Sequence, residues 1–179
     1  MSSSQRIRRI VALLIVTLSL IGAQALSAQA EGNPVVASVT GSGDFILGGE
    51  LTTFAYSAIL RADGTVSGQY QYNLRALNVH IHGPVTCLVV DGNRGWIGGI
   101  AAQIVSDNPN LVALTGQDSW FQVLDNGQGS NDPPDVTTSL GVTPLTGPPG
   151  EAQDYCDRAP DMITARTIVH GNINVRDSQ

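Results

Sequence analysis

Hydrophobic and polar residues alternate with a period of two along most of this chain, most regularly from Thr65 to Leu74. Val66, Gly68, Tyr70, Tyr72 and Leu74 fall on one face of an extended segment, and Thr65, Ser67, Gln69, Gln71 and Asn73 fall on the other. That pattern predicts a strand with one buried and one solvated side. The segment before it, Leu51 to Ala62, places Phe54, Tyr56, Ala58 and Leu60 on a common face. The intervening Asp63-Gly64 predicts a tight hairpin turn.

Further strands are expected at Leu77 to His82, Pro84 to Asp91, Trp96 to Ile104, Leu111 to Leu114, Gln117 to Leu124, Val136 to Val142 and Ile163 to Val175. Asp91 to Gly95 reads as a turn, Ser106 to Asn110 as a loop, and Gly98-Gly99 as a bulge or a close backbone approach. Helical periodicity is missing except for a possible turn between Gly150 and Arg158. The expected fold is therefore all-β: a single antiparallel β-sandwich or barrel with long loops between residues 126 and 161.

The first thirty residues depart from this pattern. Arg6, Arg8 and Arg9 precede a twelve-residue apolar run, Ile10 to Ile21, and Ala28-Gln29-Ala30 has the small residues of a cleavage site. A bilayer span needs about 20 apolar residues, so the run reads as a signal peptide, residues 1–30, cleaved after Ala30. Residues 31–179 are then one all-β domain, secreted or periplasmic, with no membrane anchor after cleavage.

Removal of that segment changes the charge. The remaining chain has six basic residues, all Arg and scattered, against fifteen acidic ones, a net charge of −9. Such a domain repels phosphate backbones, which excludes nucleic acid as a partner. Export also bears on Cys87 and Cys156, the two cysteines of the chain. In an oxidising compartment they are expected to form a disulfide, closing a loop of about seventy residues, worth roughly 4 kcal/mol.

Candidate chemistry is sparse. His80 and His82 share one face of a strand and His170 lies on the last one, so three imidazoles could hold zinc if those strands meet. The segment from Asp125 to Asp135 offers Asp125, Asn126, Asp132 and Asp135 as hard oxygen ligands for calcium, although without EF-hand spacing. Its other reading is a turn-forming loop in which these side chains bond the backbone. Calcium is the one candidate cofactor. Gly41-Ser42-Gly43-Asp44 reads as a glycine-rich turn rather than a nucleophile elbow, and nothing selects a pair of carboxylates for hydrolysis. Trp96 and Trp120 have the rings to form a sugar-stacking platform, but packing is the favoured reading for both.

The order of Gly41-Ser42-Gly43-Asp44-Phe45, Arg61 to Gly68, His82-Gly83-Pro84-Val85-Thr86-Cys87-Leu88, Trp96-Ile97-Gly98-Gly99, Asp125 to Gly129 and Gly171-Asn172-Ile173 resembles a family of small exported bacterial all-β proteins without an assigned activity. The resemblance implies export, one domain and the fold class, and carries no catalytic residues. The function expected is that of a non-catalytic binding or structural β domain at or beyond the cell surface, with a glycan or a surface protein as partner. The alternative is a metal-dependent module, either a calcium-stabilised carbohydrate binder or a small zinc enzyme.

Overall fold

Three long strands carry the alternating pattern into three dimensions: β1 (Val35–Leu47), β2 (Glu50–Arg61) and β3 (Val66–Leu74). They pair antiparallel in order, with Tyr56 opposite Tyr70 and Phe54 opposite Tyr72. The expected apolar faces are the buried ones, and the hairpin forms at Asp63-Gly64, where the Asp63 carboxylate accepts from Thr65 N at 2.8 Å. The computed structural model describes residues 33–129, 131–144, 151–162 and 164–178. The signal segment and Ala30 lie outside these residues.

A 3-10 turn, Arg75–Leu77, leads into β4 (Val79–Asp91), one strand where the sequence suggested two. Its first half pairs with β3 and with β6 (Gln103–Ser106), and its second half with β5 (Arg94–Ile100), after a register shift between Val85 and Cys87. The expected strand Trp96 to Ile104 is thus divided at Ala101-Ala102, because its two parts pair with different halves of β4. The chain continues through α1 (Pro109–Val112), β7 (Asp118–Leu124), β8 (Val136–Thr138), β9 (Gly141–Val142), α2 (Ala152–Arg158), β10 (Ala165–Thr167) and β11 (His170–Asp177).

Three local readings need correction. Leu111 to Leu114 is not a strand: the Asn108 side chain caps Asn110 N at 3.0 Å, and Pro109 occupies the first turn, so the segment starts a helix. Gly41 to Asp44 is not a turn but the middle of β1. A side chain at Gly41 would collide with the Tyr56 ring at 2.7 Å, and one at Gly43 with the His170 carbonyl at 2.2 Å. These glycines permit close packing rather than reversal. The region from 126 to 161 also contains a helix, α2, in addition to its loops.

The strands form one mostly antiparallel, curled sheet in the order β10-β8-β7-β5-β4-β3-β2-β1-β11, with β6 beside β4 and β9 beside β7. Its first and last strands belong to one continuous segment. β10 pairs with β8 and β11 with β1, while Ile168 N and Val169 N between them bond Asp135 O and Asp44 O. Inside the curl, Phe45, Phe54, Tyr56, Tyr70, Tyr72 and Phe121 form one aromatic cluster. Phe121 of β7 lies 5.1 Å from Tyr56 and 5.5 Å from Tyr72, centroid to centroid. The Tyr70 hydroxyl also meets Ser119 Oγ at 2.6 Å.

The outer face of β5 and β7 is covered by α2, where Trp96, Trp120 and Tyr155 pack together. Cys156 of α2 is bonded to Cys87 of β4 with Cα atoms 6.3 Å apart, the disulfide expected from sequence. Gly98 allows this approach, since a Cβ there would lie 2.5 Å from Cys87 Sγ. Trp120 and Phe121 face opposite ways as adjacent strand residues must, but both sides are buried. All nine aromatic side chains of the protein, three Phe, four Tyr and two Trp, are buried. No helix among the described residues is long and apolar enough to cross a membrane.

Burial pushes every tyrosine hydroxyl upward: Tyr70 to about 12, and Tyr56, Tyr72 and Tyr155 well above the ordinary value of 10. The phenols must stay neutral in the fold but ionise readily once unfolded, so this contribution to stability is complete below pH ~10 and is lost as pH rises towards 12. Alkaline titration should therefore show phenolate absorbance appearing together with loss of the β-sheet circular dichroism signal. Phenolate forming near pH ~10 with the sheet signal intact would contradict this burial.

Candidate functional site

The sequence-selected acidic loop is occupied by structural hydrogen bonds. Asp125 follows β7, and its carboxylate accepts from Gly127 N and from Val175 N of β11, both at 2.9 Å. Asp135 precedes β8 and is buried; it accepts from Asn126 N at 2.8 Å and from Ile173 N at 2.7 Å. The Asn126 side-chain amide donates to Pro134 O at 2.7 Å, while Asp132, exposed at the tip, accepts from Gly129 N at 2.6 Å. The two Asp residues thus supply acceptors to backbone N–H groups of β11 that would otherwise be buried without partners. Sequence composition identified the oxygen-rich loop; the acceptor role depends on β11, which is about forty residues away and invisible to local spacing.

The histidines are not brought together. His80 and His82 lie side by side on β4, ring centroids 6.1 Å apart. His170 stands in the same cross-strand row as His80, but Asn73, Thr53 and Asp44 separate them. Four strand spacings of ~4.8 Å separate them by roughly 19 Å measured along the sheet, and their side chains project from its outer side, too far apart to share one zinc ion with bonds of ~2 Å. His170 is instead beside Asp44, Nδ1 to Oδ2 3.9 Å, and both reside on the wet face. Among the described residues, no group of three or more His, Cys, Asp or Glu side chains is arranged to hold a metal ion.

The residues that do converge are mostly ones with no motif. Across β11, β1, β2, β3, β4 and β6 the outward positions align in rows: Asn172, Ser42, Ala55, Gln71, His82 and Gln103 form one. Asn174, Thr40, Ser57 and Gln69 form the next, and His170, Asp44, Thr53, Asn73, His80 and the exposed Val105 the one on the other side. These are almost entirely neutral hydrogen-bonding groups, with Asp44 the one acidic member. The small side chain of Ala55 leaves a shallow trough of about 620 Å³, lined by Ser57, Gln69, Gln71, His80 and His82. A smaller hollow of about 270 Å³ adjoins it, sharing Gln71 and His80 and reaching Thr53, Asn73 and Arg75.

Two pairs on this face bond each other, and three amides of β3 stand exposed. His82 Nε2 and Gln103 Oε1 are 2.6 Å apart, and Thr53 Oγ1 donates to Asp44 Oδ1 at 2.7 Å. Gln69, Gln71 and Asn73 are exposed and direct their amides outward from alternate positions of β3. Alternation of the sequence marked these residues as solvated; their assembly into a six-strand array required the strand order. Trp96 and Trp120 take no part, since both are packed beneath α2, and Trp96 Nε1 donates to Pro160 O at 2.8 Å.

No family model, curated protein or solved structure matches the chain. The loop chemistry is checked by substitution. Asp135→Ala leaves two N–H groups without acceptors and should cost about 2–4 kcal/mol of stability, whereas Asp132→Ala at the exposed tip should cost under ~0.5 kcal/mol. Urea unfolding measures both. Equal effects, or a wild-type midpoint that rises with millimolar calcium while that of Asp135→Ala does not, would contradict the structural role.

Proposed function

We propose that the mature chain is an exported, non-catalytic binding domain, secreted or periplasmic, whose curled sheet is a closed barrel and whose working surface is the polar face of β11, β1, β2, β3, β4 and β6. One observation carries this reading: a broad array of neutral donors and acceptors, with a trough at its centre, stands on one side of the sheet while all nine aromatic residues are buried elsewhere. A sheet face that served only solubility would be expected to carry dispersed charge of both signs. Among the acidic side chains of the described residues, Asp44 alone belongs to these rows, and the face is left largely neutral.

Export supports the reading from another side. The signal-like segment, the Cys87–Cys156 bond and the acidic charge all suit an oxidising compartment outside the cytoplasm. The binding surface also has a rigid base. β2 and β3 are anchored from beneath by the aromatic cluster, so the outward side chains are displayed on a backbone that has little freedom to shift.

The test uses purified mature protein and envelope fractions of the producing cell. Wild type should cosediment with the envelope, and the double variant Ala55→Arg, Gln71→Ala should be retained at least tenfold less with its thermal unfolding unchanged. Equal retention of the two would remove the face as the working surface. Turnover of an ester, glycoside or peptide substrate that a single substitution abolishes would overturn the non-catalytic assignment.

A further inference from the structure

We infer that the trough over Ala55 accommodates a neutral, polyhydroxylated glycan chain, an assignment that rests on the reading of this face as the binding surface. Charge and anchoring chemistry narrow the occupant. A phosphorylated or carboxylated ligand needs cations, yet Arg75, in the smaller hollow, is the one Arg among the residues lining the trough and that hollow, and the chain as a whole is strongly acidic. A protein partner is bound chiefly through buried aromatic or large apolar anchors. The trough offers no such anchor: Ala55 forms its floor, and the Tyr56 and Tyr70 side chains that border it are turned inward and buried.

What the trough does offer is matched to hydroxyl groups. Gln69 and Gln71 each present a carbonyl acceptor and an NH2 donor, spaced by two residues along β3, about 6.8 Å. His80 and His82 stand opposite Asn73 and Gln71 on the neighbouring strand, so donors and acceptors recur at about 4.8 Å across the trough as well. A sugar hydroxyl both donates and accepts, so a ligand rich in such groups can pair with this two-way lattice without leaving amides unpaired. The shallow volume of about 620 Å³, which shares Gln71 and His80 with the 270 Å³ hollow, suits part of a chain better than one enclosed small molecule. With no Trp, Tyr or Phe ring exposed for stacking, affinity comes chiefly from hydrogen bonds and should be modest, with dissociation constants near the millimolar range.

Two measurements test this. Amide shifts of the mature protein are followed on addition of neutral oligosaccharides of glucose, mannose or N-acetylglucosamine, with oligogalacturonate as the charged comparison. At least one neutral chain should shift amides of β2, β3 and β4, Gln71→Ala should weaken it about tenfold, and Ala55→Arg should abolish it while the thermal midpoint stays unchanged. No shift with any neutral chain at high millimolar concentration, or tighter binding of oligogalacturonate, overturns the inference. In parallel, envelope fractions are treated with periodate, which cleaves vicinal diols, or with protease. Loss of wild-type retention after periodate alone supports a glycan. Loss after protease alone overturns the glycan and leaves the face as the binding surface, whereas equal retention of wild type and the trough variant defeats both.

Discussion

Residues 165–177 pair with β8 at one end and with β1 at the other, and the organisation of the molecule depends on that double pairing. A sheet of this length has two edges to satisfy, and here a single segment of chain serves both. The turn between the two pairings is held by Ile168 N on Asp135 O and Val169 N on Asp44 O. Where β11 lacks a neighbouring strand, Asp125 and Asp135 provide acceptors for Val175 and Ile173. Two carboxylates thereby perform the work of a strand edge.

Curling the sheet in this way produces a sheltered interior, and the interior explains the distribution of aromatic residues. Six of the nine fill the curl, each contributing about 1.5–3 kcal/mol of apolar burial, while Trp96 and Trp120 pack under α2 against its Tyr155, where the disulfide holds the helix against β4 and β5. The hydroxyl of Tyr56 is enclosed without a hydrogen-bond partner, a cost accepted within an otherwise well-packed cluster. The consequence for function is a separation of chemistry. Every aromatic side chain is used in holding the sheet, and the outer side of β1, β2 and β3 retains mainly hydroxyl and amide groups.

Much of this was legible in the sequence wherever the signal was local. The β2–β3 hairpin, its buried face and the cysteine pair follow from alternation, Asp63-Gly64 and the even cysteine count. Local signals failed where tertiary contacts decide. Glycines 41 and 43 resemble a turn until Tyr56 and His170 are seen to need their space. Leu111 and Leu114 suit a strand as well as a helix until the Asn108 cap is considered. The acidic loop has the composition of an ion site, but its carboxylates are engaged by β11. The polar array has no motif at all, because its members come from six strands and become neighbours only through the strand order.

Native-state hydrogen exchange at β11 tests the double pairing most directly. If residues 165–177 secure both ends of the sheet, the amides of Ile173 and Val175 will exchange only through global unfolding, with the same opening free energy as the amides of Tyr70 and Tyr72 in β3. Exchange at Ile173 and Val175 that is orders of magnitude faster, while β3 remains protected, would show that the sheet stands without this segment and that the carboxylate contacts are incidental.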